Sequence, residues 1–403
     1  MKLKCVIIIY FVSMGLAFAA QPPVILKTYI QPPYQMAGET RLEGSVSDTL
    51  DCIFNTLHRP YKLTLGPRKR NRELIKNGRI DGFLLSMPDH ELDRVAVATD
   101  PIVLERWKYF RSSFSALPEL PGAHRVGAVL GSNEAIWLTQ TGQATAGSIP
   151  NVTSLVKLLN SERIPYALAD EKSLHAAVEE AHVSTVSFRS TFVKYVPLVA
   201  YFSNSFILQN QGFIDQFNKT LNTCAQDINA ATQSEKEDLL FRSEKFIGLH
   251  KDKLIEMLKG QVAPNLDIKQ MYLQDALWIK AVLNNEKTPL IEGVLANDIS
   301  RYLHDVALQF PEITEIFLTN EKGFIVGMNK TTSDYWQGNE DAHLALVNKG
   351  EASYVSDILF DHSTHKFQIQ ISLPLKDKIS DQCLGILTIG FDASKAFFAQ
   401  AKN

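Results

Sequence analysis

No HExxH, GxSxG or GxxxxGK[ST] run occurs anywhere in the 403 residues. Their absence removes the common metalloprotease, α/β-hydrolase and phosphate-loop chemistries. Cysteine is scarce: Cys5, Cys52, Cys224 and Cys383 are spaced neither as a CxxC pair nor as a zinc ribbon. Charge of one sign is not concentrated, because 41 Lys and Arg are interspersed with 44 Asp and Glu for a net charge of −3. With only the short group Arg68-Lys69-Arg70 as a basic run, no face suits nucleic acid. Beyond the first 20 residues no hydrophobic stretch reaches membrane-spanning length. His362 and His365 have a metal-like spacing beside Asp361, yet two histidines and one acid in a loop read as polar surface. Glu91 and Asp93 alternate in a loop with nothing to pin them as an acid/base pair. No metal, no cofactor and no enzymatic activity are therefore expected.

The composition is that of ordinary folded protein, with 45% hydrophobic residues, and the length suggests two or three domains. Residues 1–20 carry Lys2 and Lys4, then an apolar run, then Ala17-Phe18-Ala19-Ala20. This is the layout of a secretory signal peptide, with cleavage expected near Ala19 or Ala20 because the following Gln-Pro-Pro cannot continue a helix; an uncleaved anchor is the alternative. Removal of Cys5 leaves three cysteines for an oxidising compartment. Cys52 and Cys224 are the candidate disulfide pair and Cys383 the buried free thiol. Cys224 lies on the apolar stripe Phe217, Leu221, Cys224, Ile228, whereas Cys52 lies off the stripe of its own helix, so bonded and unbonded states both stay open.

Along the chain, VILKTYI at 24–30 reads as a strand, followed by a Pro-rich turn. A helix follows with Val46, Leu50, Ile53, Phe54 and Leu57 on one face. YKLTLGP from Tyr61, a helix ended by Gly78, and IDGFLLSM complete a βαβαβ order, which implies an α/β unit with a largely parallel sheet. RVGAVLGSNEAIWL, SLVKLLNSERIPYALAD and YVPLVAYFS repeat the alternation, suggesting two lobes with a cleft between them. The charged helix at 231–263 reads as a linker. From 264 to 403, helices precede a strand–turn–strand (ITEIFLTNEKGFIVGM), the loop TSDYWQGNE, and the strands FQIQISLPL and CLGILTIGFD, the order of a separate α+β domain.

Residues 21–230 resemble extracytoplasmic solute-binding proteins of family 3, the bilobed type II fold that includes amino-acid-binding members. The resemblance rests on PPY after the first strand, NGRIDG before the third, LDRVAVATDPI, VGAVLGSNEAIWL, ALAD, LVAYFSNSF and GFIDQFNKTLNTC, in that order. It implies a periplasmic protein that closes on a small polar solute. Tyr34 would offer an aromatic face at the cleft. Gly131 and Ser132 would open a helix whose free amides suit a carboxylate. Asp170 either pairs with a ligand ammonium or caps the helix after it, and Arg94 either pairs with a ligand carboxylate or lies on the surface. Arg70 matches a Pro-x-x-Arg of the subtype and is otherwise a solvated helix start. Ser86 is a further candidate, and Tyr201 serves either the cleft or the core.

Residues 264–403 resemble a Cache domain, the PAS-like extracellular sensor fold, through EIFLTNEKGFIVGMN, TSDYWQGNE, FDHSTHKFQIQISLPL and CLGILTIGFD. On that resemblance Tyr335 and Trp336 line a pocket into which Asp334, Gln337 and Asp361 point polar groups; alternatively the segment is a structural loop that packs Trp336. Together the two halves imply a small-molecule receptor that passes ligand status to a separate membrane-bound sensor or permease. An uptake component of an ABC-type system, or an envelope assembly factor with degenerate pockets, are the other readings.

Overall fold

A computed structural model describes residues 21–224, 231–260, 266–284, 286–361 and 366–397. The signal-like residues 1–20, Ile228, His362 and His365 lie outside them.

The first lobe is built on β1 (Val24–Thr28), which pairs in parallel with β4 (Tyr61–Leu65) and β5 (Gly82–Ser86). Between β1 and β4 lie a small hairpin, β2 (Met36–Ala37) and β3 (Leu42–Glu43), and α1 (Ser45–Thr56). The 3.6-residue spacing of α1 buries Val46, Leu50, Ile53 and Phe54. After β4 comes α2 (Arg68–Lys76), and after β5 the short β6 (Ala96–Ala98). The chain then enters β7 (Val103–Ser112) and the second lobe: β8 (Val126–Gly127), α3 (Asn133–Gln140), α4 (Val152–Asn160), β9 (Tyr166–Asp170) and α5 (Glu171–Glu180). It returns along the 16-residue β10 (Phe188–Ser203) and ends the unit with α6 (Asn204–Gln209) and α7 (Phe213–Cys224).

The strand order β4-β1-β5-β10-β7-β9-β8 joins both lobes through β10. Its first part, Phe188 to Leu198, pairs with β7, and its last residues pair with β5 and β6. The chain crosses between lobes twice, between Ala98 and Val103 and again where β10 passes from β7 to β5. The sheet is mixed, not largely parallel, because both crossing strands run antiparallel to their neighbours. Strand β7 escapes the hydrophobic pattern: Glu105, Arg106, Lys108 and Arg111 interrupt VLERWKYFRS, yet Glu105, Arg106 and Arg111 are buried. A disulfide joins Cys52 of α1 to Cys224 of α7, and Cys383 is a free, half-buried thiol.

The second half begins with α8 (Gln233–Lys259), started by a capping box in which Thr232 and Glu235 satisfy each other's backbone amides. Then follow α9 (Ile268–Leu283), α10 (Pro289–Ala296), α11 (Asp298–Ala307), β11 (Ile313–Asn320) and β12 (Ile325–Met328). After α12 (Asp341–His343) the chain adds β13 (Tyr354–Val355), β14 (Leu359–Asp361), β15 (Lys366–Lys376), β16 (Cys383–Asp392) and α13 (Ala393–Ala396). These strands form an antiparallel sheet ordered β12-β11-β16-β15-β13, with β14 also on β15. Leu239, Phe246, Leu254 and Leu258 place α8, read from sequence as a linker, inside the core that α11 forms with this sheet. The same cluster contains Leu104 and Tyr195 from the crossing strands, so the second core continues into the hinge of the first unit. Among the described residues no helix is long and apolar enough to cross a membrane.

Candidate functional site

The cleft between the lobes is shut by side chains that reach across it. On the first lobe, the N-terminus of α2 carries Arg68, whose Nη1 donates to the Gly131 carbonyl at 3.0 Å and whose Nη2 donates to Asn133 Oδ1. Asn133, the first residue of α3, returns its Nδ2 to the Leu85 carbonyl at 3.3 Å, and its Oδ1 accepts from Met87 N at 3.4 Å. Leu85 adopts φ +62°, which an L-residue at a strand end rarely holds. Its carbonyl also accepts Tyr29 OH at 2.7 Å. Outliers of this kind persist where the surroundings over-determine them, as they do here. Farther in, Gln31 Nε2 donates to Glu105, and Tyr34 OH donates to Asp170 Oδ2 at 3.0 Å. Between these contacts lies a cavity of about 210 Å³, walled by Leu130, Leu155 and Leu168 and edged by Gln31, Arg68 and Glu134.

Three carboxyls cluster here, Glu134 at the cavity edge with Glu105 and Asp170 behind it. Glu105, Glu134 and Asp170 are buried, and burial pushes all three above the usual carboxylate range. The charges of Glu134 and Asp170 push Glu105 up further, while hydrogen bonds oppose the shift at Asp170. Asp170 accepts from Arg106 N at 2.9 Å and Ser173 N at 3.0 Å in addition to Tyr34, so it caps α5 and ties a first-lobe tyrosine to the second lobe. Trp107 Nε1 donates to Glu105 at 2.8 Å.

The residues singled out in the sequence scatter around this arrangement. Gly131 takes φ +75° and presents its carbonyl to Arg68, and Ser132 caps α3 through Ala135 N. Tyr34 is wholly buried beside the cavity. Ser86 is buried, donates to the Met87 carbonyl at 3.0 Å, and edges an outer groove of about 590 Å³ that Arg68 separates from the cavity. The arginine at the cleft is Arg68 and not Arg70: two helical residues are about 200° apart, so Arg70 faces solvent. Arg94 also points outward from its loop. Tyr201 stays in the core, where its OH donates to Asp93 Oδ1 at 2.6 Å and accepts Asp89 N at 2.8 Å. Arg68, Asn133, Glu134 and Glu105 were not singled out. Three of them sit inside stretches already singled out, Arg68 in the Pro-x-x-Arg run and Asn133 and Glu134 in RVGAVLGSNEAIWL, and the missing signal was which helical face turns to the cleft.

In the second half, the TSDYWQGNE loop is held by its own contacts. Tyr335 stacks on Trp278 with centroids 5.1 Å apart, and the Tyr335 and Trp336 amides both donate to Asp275 Oδ1 at 2.9 and 3.0 Å. Trp336 Nε1 donates to the Lys322 carbonyl at 2.9 Å, and Gln337 Nε2 donates to Asp334. The sequence reading passed over Glu315 on β11. It is buried and accepts Gln368 Nε2 at 2.6 Å and Gln370 Nε2 at 2.8 Å. Burial, with the charges of Asp361 and Asp334, pushes it up to about 7.

No family model and no curated protein matches the sequence. Among solved structures, the chain is similar to a histidine kinase sensor domain with similarity to periplasmic binding proteins, at 13% identity and TM-score 0.45, covering 51% of this chain and 90% of that one. It is also similar to the GluR0 ligand-binding core of Nostoc punctiforme in complex with L-glutamate, at 15% identity and TM-score 0.42, covering 50% of this chain and 92% of the other. A third is the arginine-, lysine-, histidine-binding protein ArtJ of Geobacillus stearothermophilus, at 10% identity and TM-score 0.42, covering 50% and 89%.

Proposed function

We propose that the first unit is an extracytoplasmic receptor that closes its lobes on a small polar solute, and that the second unit passes this closure to a separate membrane partner. The observation that carries the reading is the cavity shut between lobes that two chain crossings connect, with Arg68 and Glu134 brought to it from opposite sides. A construction of this kind can open by bending at the crossings, and only a ligand that prefers the closed form shifts the balance. The resemblance in sequence to family 3 solute-binding proteins points the same way, as does the Cys52–Cys224 disulfide, which belongs to an oxidising compartment. Sensing is favoured over plain uptake because the second core runs into the hinge strands through Leu104 and Tyr195.

A thermal-shift screen of the secreted chain with amino acids, polyamines, organic acids and peptides tests the reading. A true ligand at a hundred times Kd adds about 2.7 kcal/mol of stability. Arg68→Ala should remove that stabilisation and Arg70→Ala should leave it intact. A screen in which nothing stabilises the protein sinks the receptor reading. Stabilisation combined with association to a permease alone moves it to uptake.

A further inference from the structure

A second cavity, of about 280 Å³, lies away from the cleft and shares no lining residue with the cavity there. One wall is made by the two chain crossings: Ala98, Pro101 and Leu104 from the first, Tyr195, Pro197 and Val199 from the second. The crossings are laced to each other. Thr99 N donates to the Ala200 carbonyl and Ile102 N to the Leu198 carbonyl, both at 2.8 Å, and Pro197 lies opposite Leu104 in register. Pro101 and Pro197 have no N–H to offer, so both positions present ring carbon. The facing wall belongs to the second unit. It carries Phe360 of β14 and Phe367 of β15, whose rings meet edge-on with centroids 5.3 Å apart.

The charged groups around this space are balanced. Lys366 Nζ lies 3.3 Å from Asp392 Oδ2, and Ser394 Oγ donates to Asp392 Oδ1 at 2.6 Å. Asp392 also acts on Lys194, whose ammonium burial pushes down and the aspartate's charge holds up. Asp100, whose amide donates to Asn218 Oδ1 at 2.9 Å, lines the cavity as the other acid. Two lysines thus stand against two aspartates, and a ligand bringing its own charge upsets that balance at a cost that grows with burial. A neutral group meets no such cost. Lys366 has donors beyond its pairing with Asp392, and they suit a hydroxyl or carbonyl oxygen.

We infer that this cavity is a second ligand site, taking a compact neutral molecule with one aromatic ring and one hydroxyl or carbonyl group. An apolar cavity of about 150 Å³ is enough to hold benzene, so the volume here admits a ring with a short substituent. Phe360 and Phe367 offer such a ring edge-to-face contact, and the prolines offer it flat carbon surfaces. The position of the site decides its consequence. An occupant touches both crossings and the second unit at once, and these walls shift against each other when the crossings bend. It therefore prefers one arrangement of the lobes and changes cleft affinity by linkage. That effect on the cleft rests on the receptor reading; the site itself does not.

The test is an NMR titration of the full secreted chain with benzyl alcohol, benzoate and benzylamine, which share a ring and differ in charge. Benzyl alcohol should bind at least tenfold more tightly than either charged analogue and should slow hydrogen exchange over residues 98–104 and 195–199. Ala98→Phe, which fills the cavity, should abolish this binding. Phe360→Ala, which removes a wall without adding bulk, should weaken it tenfold or more, and the unliganded melting temperature of each variant reports that it has folded. Arg68→Ala, altered at the cleft, should bind benzyl alcohol as the wild type does. Charged analogues that bind as tightly, protection confined to the cleft, or binding lost in Arg68→Ala and kept in Ala98→Phe would overturn the inference. So would the absence of any binding. None of these outcomes touches the receptor reading, which the solute screen tests by itself.

Discussion

Glu315 shows at the scale of one residue how a buried charge changes stability. Its neighbours Ile316 and Leu318 point into the helix-covered core, so alternation turns Glu315 to the opposite face of β11. Gly390 lies opposite it in register, and a Cβ there would come within 2.8 Å of Glu315 Cγ. With its carboxyl at about 7 against an ordinary 4.5, the folded protein binds more protons than the unfolded chain between those values. Stability is therefore highest on the acid side of this window and falls as pH rises from about 4.5 through 7, by about 3 kcal/mol at most. Both glutamine donors bond to Glu315 Oε1, which Glu315→Gln retains as an acceptor. Urea unfolding at pH 5 and pH 8 should show the wild-type loss of stability and a reduced slope in Glu315→Gln. An identical pH slope in both proteins would remove Glu315 as its source. Among the candidate site residues, those named for chemical type alone fared unevenly. Asp170 is buried at the cleft but serves as a cap, and Arg94 is on the outside.

At the scale of elements, helix faces decided what spacing could not. Cys52 lies off the buried stripe of α1, yet α7 packs alongside that helix and brings Cys224 to a Cα–Cα distance of 5.7 Å, well within disulfide range. The bridge closes a sequence separation of 172 residues that includes the whole second lobe. By the chain-entropy estimate a loop of that length stabilises by about 5 kcal/mol. Reduction, or the Cys52→Ser/Cys224→Ser pair, should therefore lower the melting temperature of the first unit markedly, with no change for Cys383→Ser. Calorimetry with and without reductant checks this, and an unchanged transition would refute the disulfide's contribution. Strand β7 is the opposite lesson. Its charges hid it from the hydrophobic pattern: Glu105 is compensated by Trp107 two positions along the same face, and Arg106 by Tyr195 and Glu235, which periodicity cannot associate with it.

The two halves of the molecule meet where α8 begins against the crossing strands. Glu235 completes the cap of α8 and also receives Arg106 at 2.6 Å and Tyr195 OH at 3.1 Å from the crossing strands. Phe397 packs edge-on to Tyr195 at 5.9 Å beside it. Bending of the crossings during closure would move the start of α8. Hydrogen exchange should therefore show ligand-dependent protection both at the cleft and in the first turns of α8. Glu235→Gln, which leaves the cavity lining untouched, should keep cleft affinity within a few-fold while losing the α8 response. Protection of α8 that survives in this variant would place the coupling elsewhere.

The sequence by itself determined the two-part organisation, the α/β alternation of the first half, the α+β order of the second and the absence of recognisable catalytic motifs. These are local properties: strand and helix periods, turn residues and caps act over a few neighbours. Only the tertiary structure decided that Arg68 and not Arg70 meets the cleft, that Cys52 reaches Cys224, and that Glu134 comes to line the cavity that Arg68 edges from the other lobe. Each depends on residues tens to hundreds of positions apart being brought within a few ångströms. Burial and electrostatic partnership at that range come from packing, and no spacing along the chain encodes them directly.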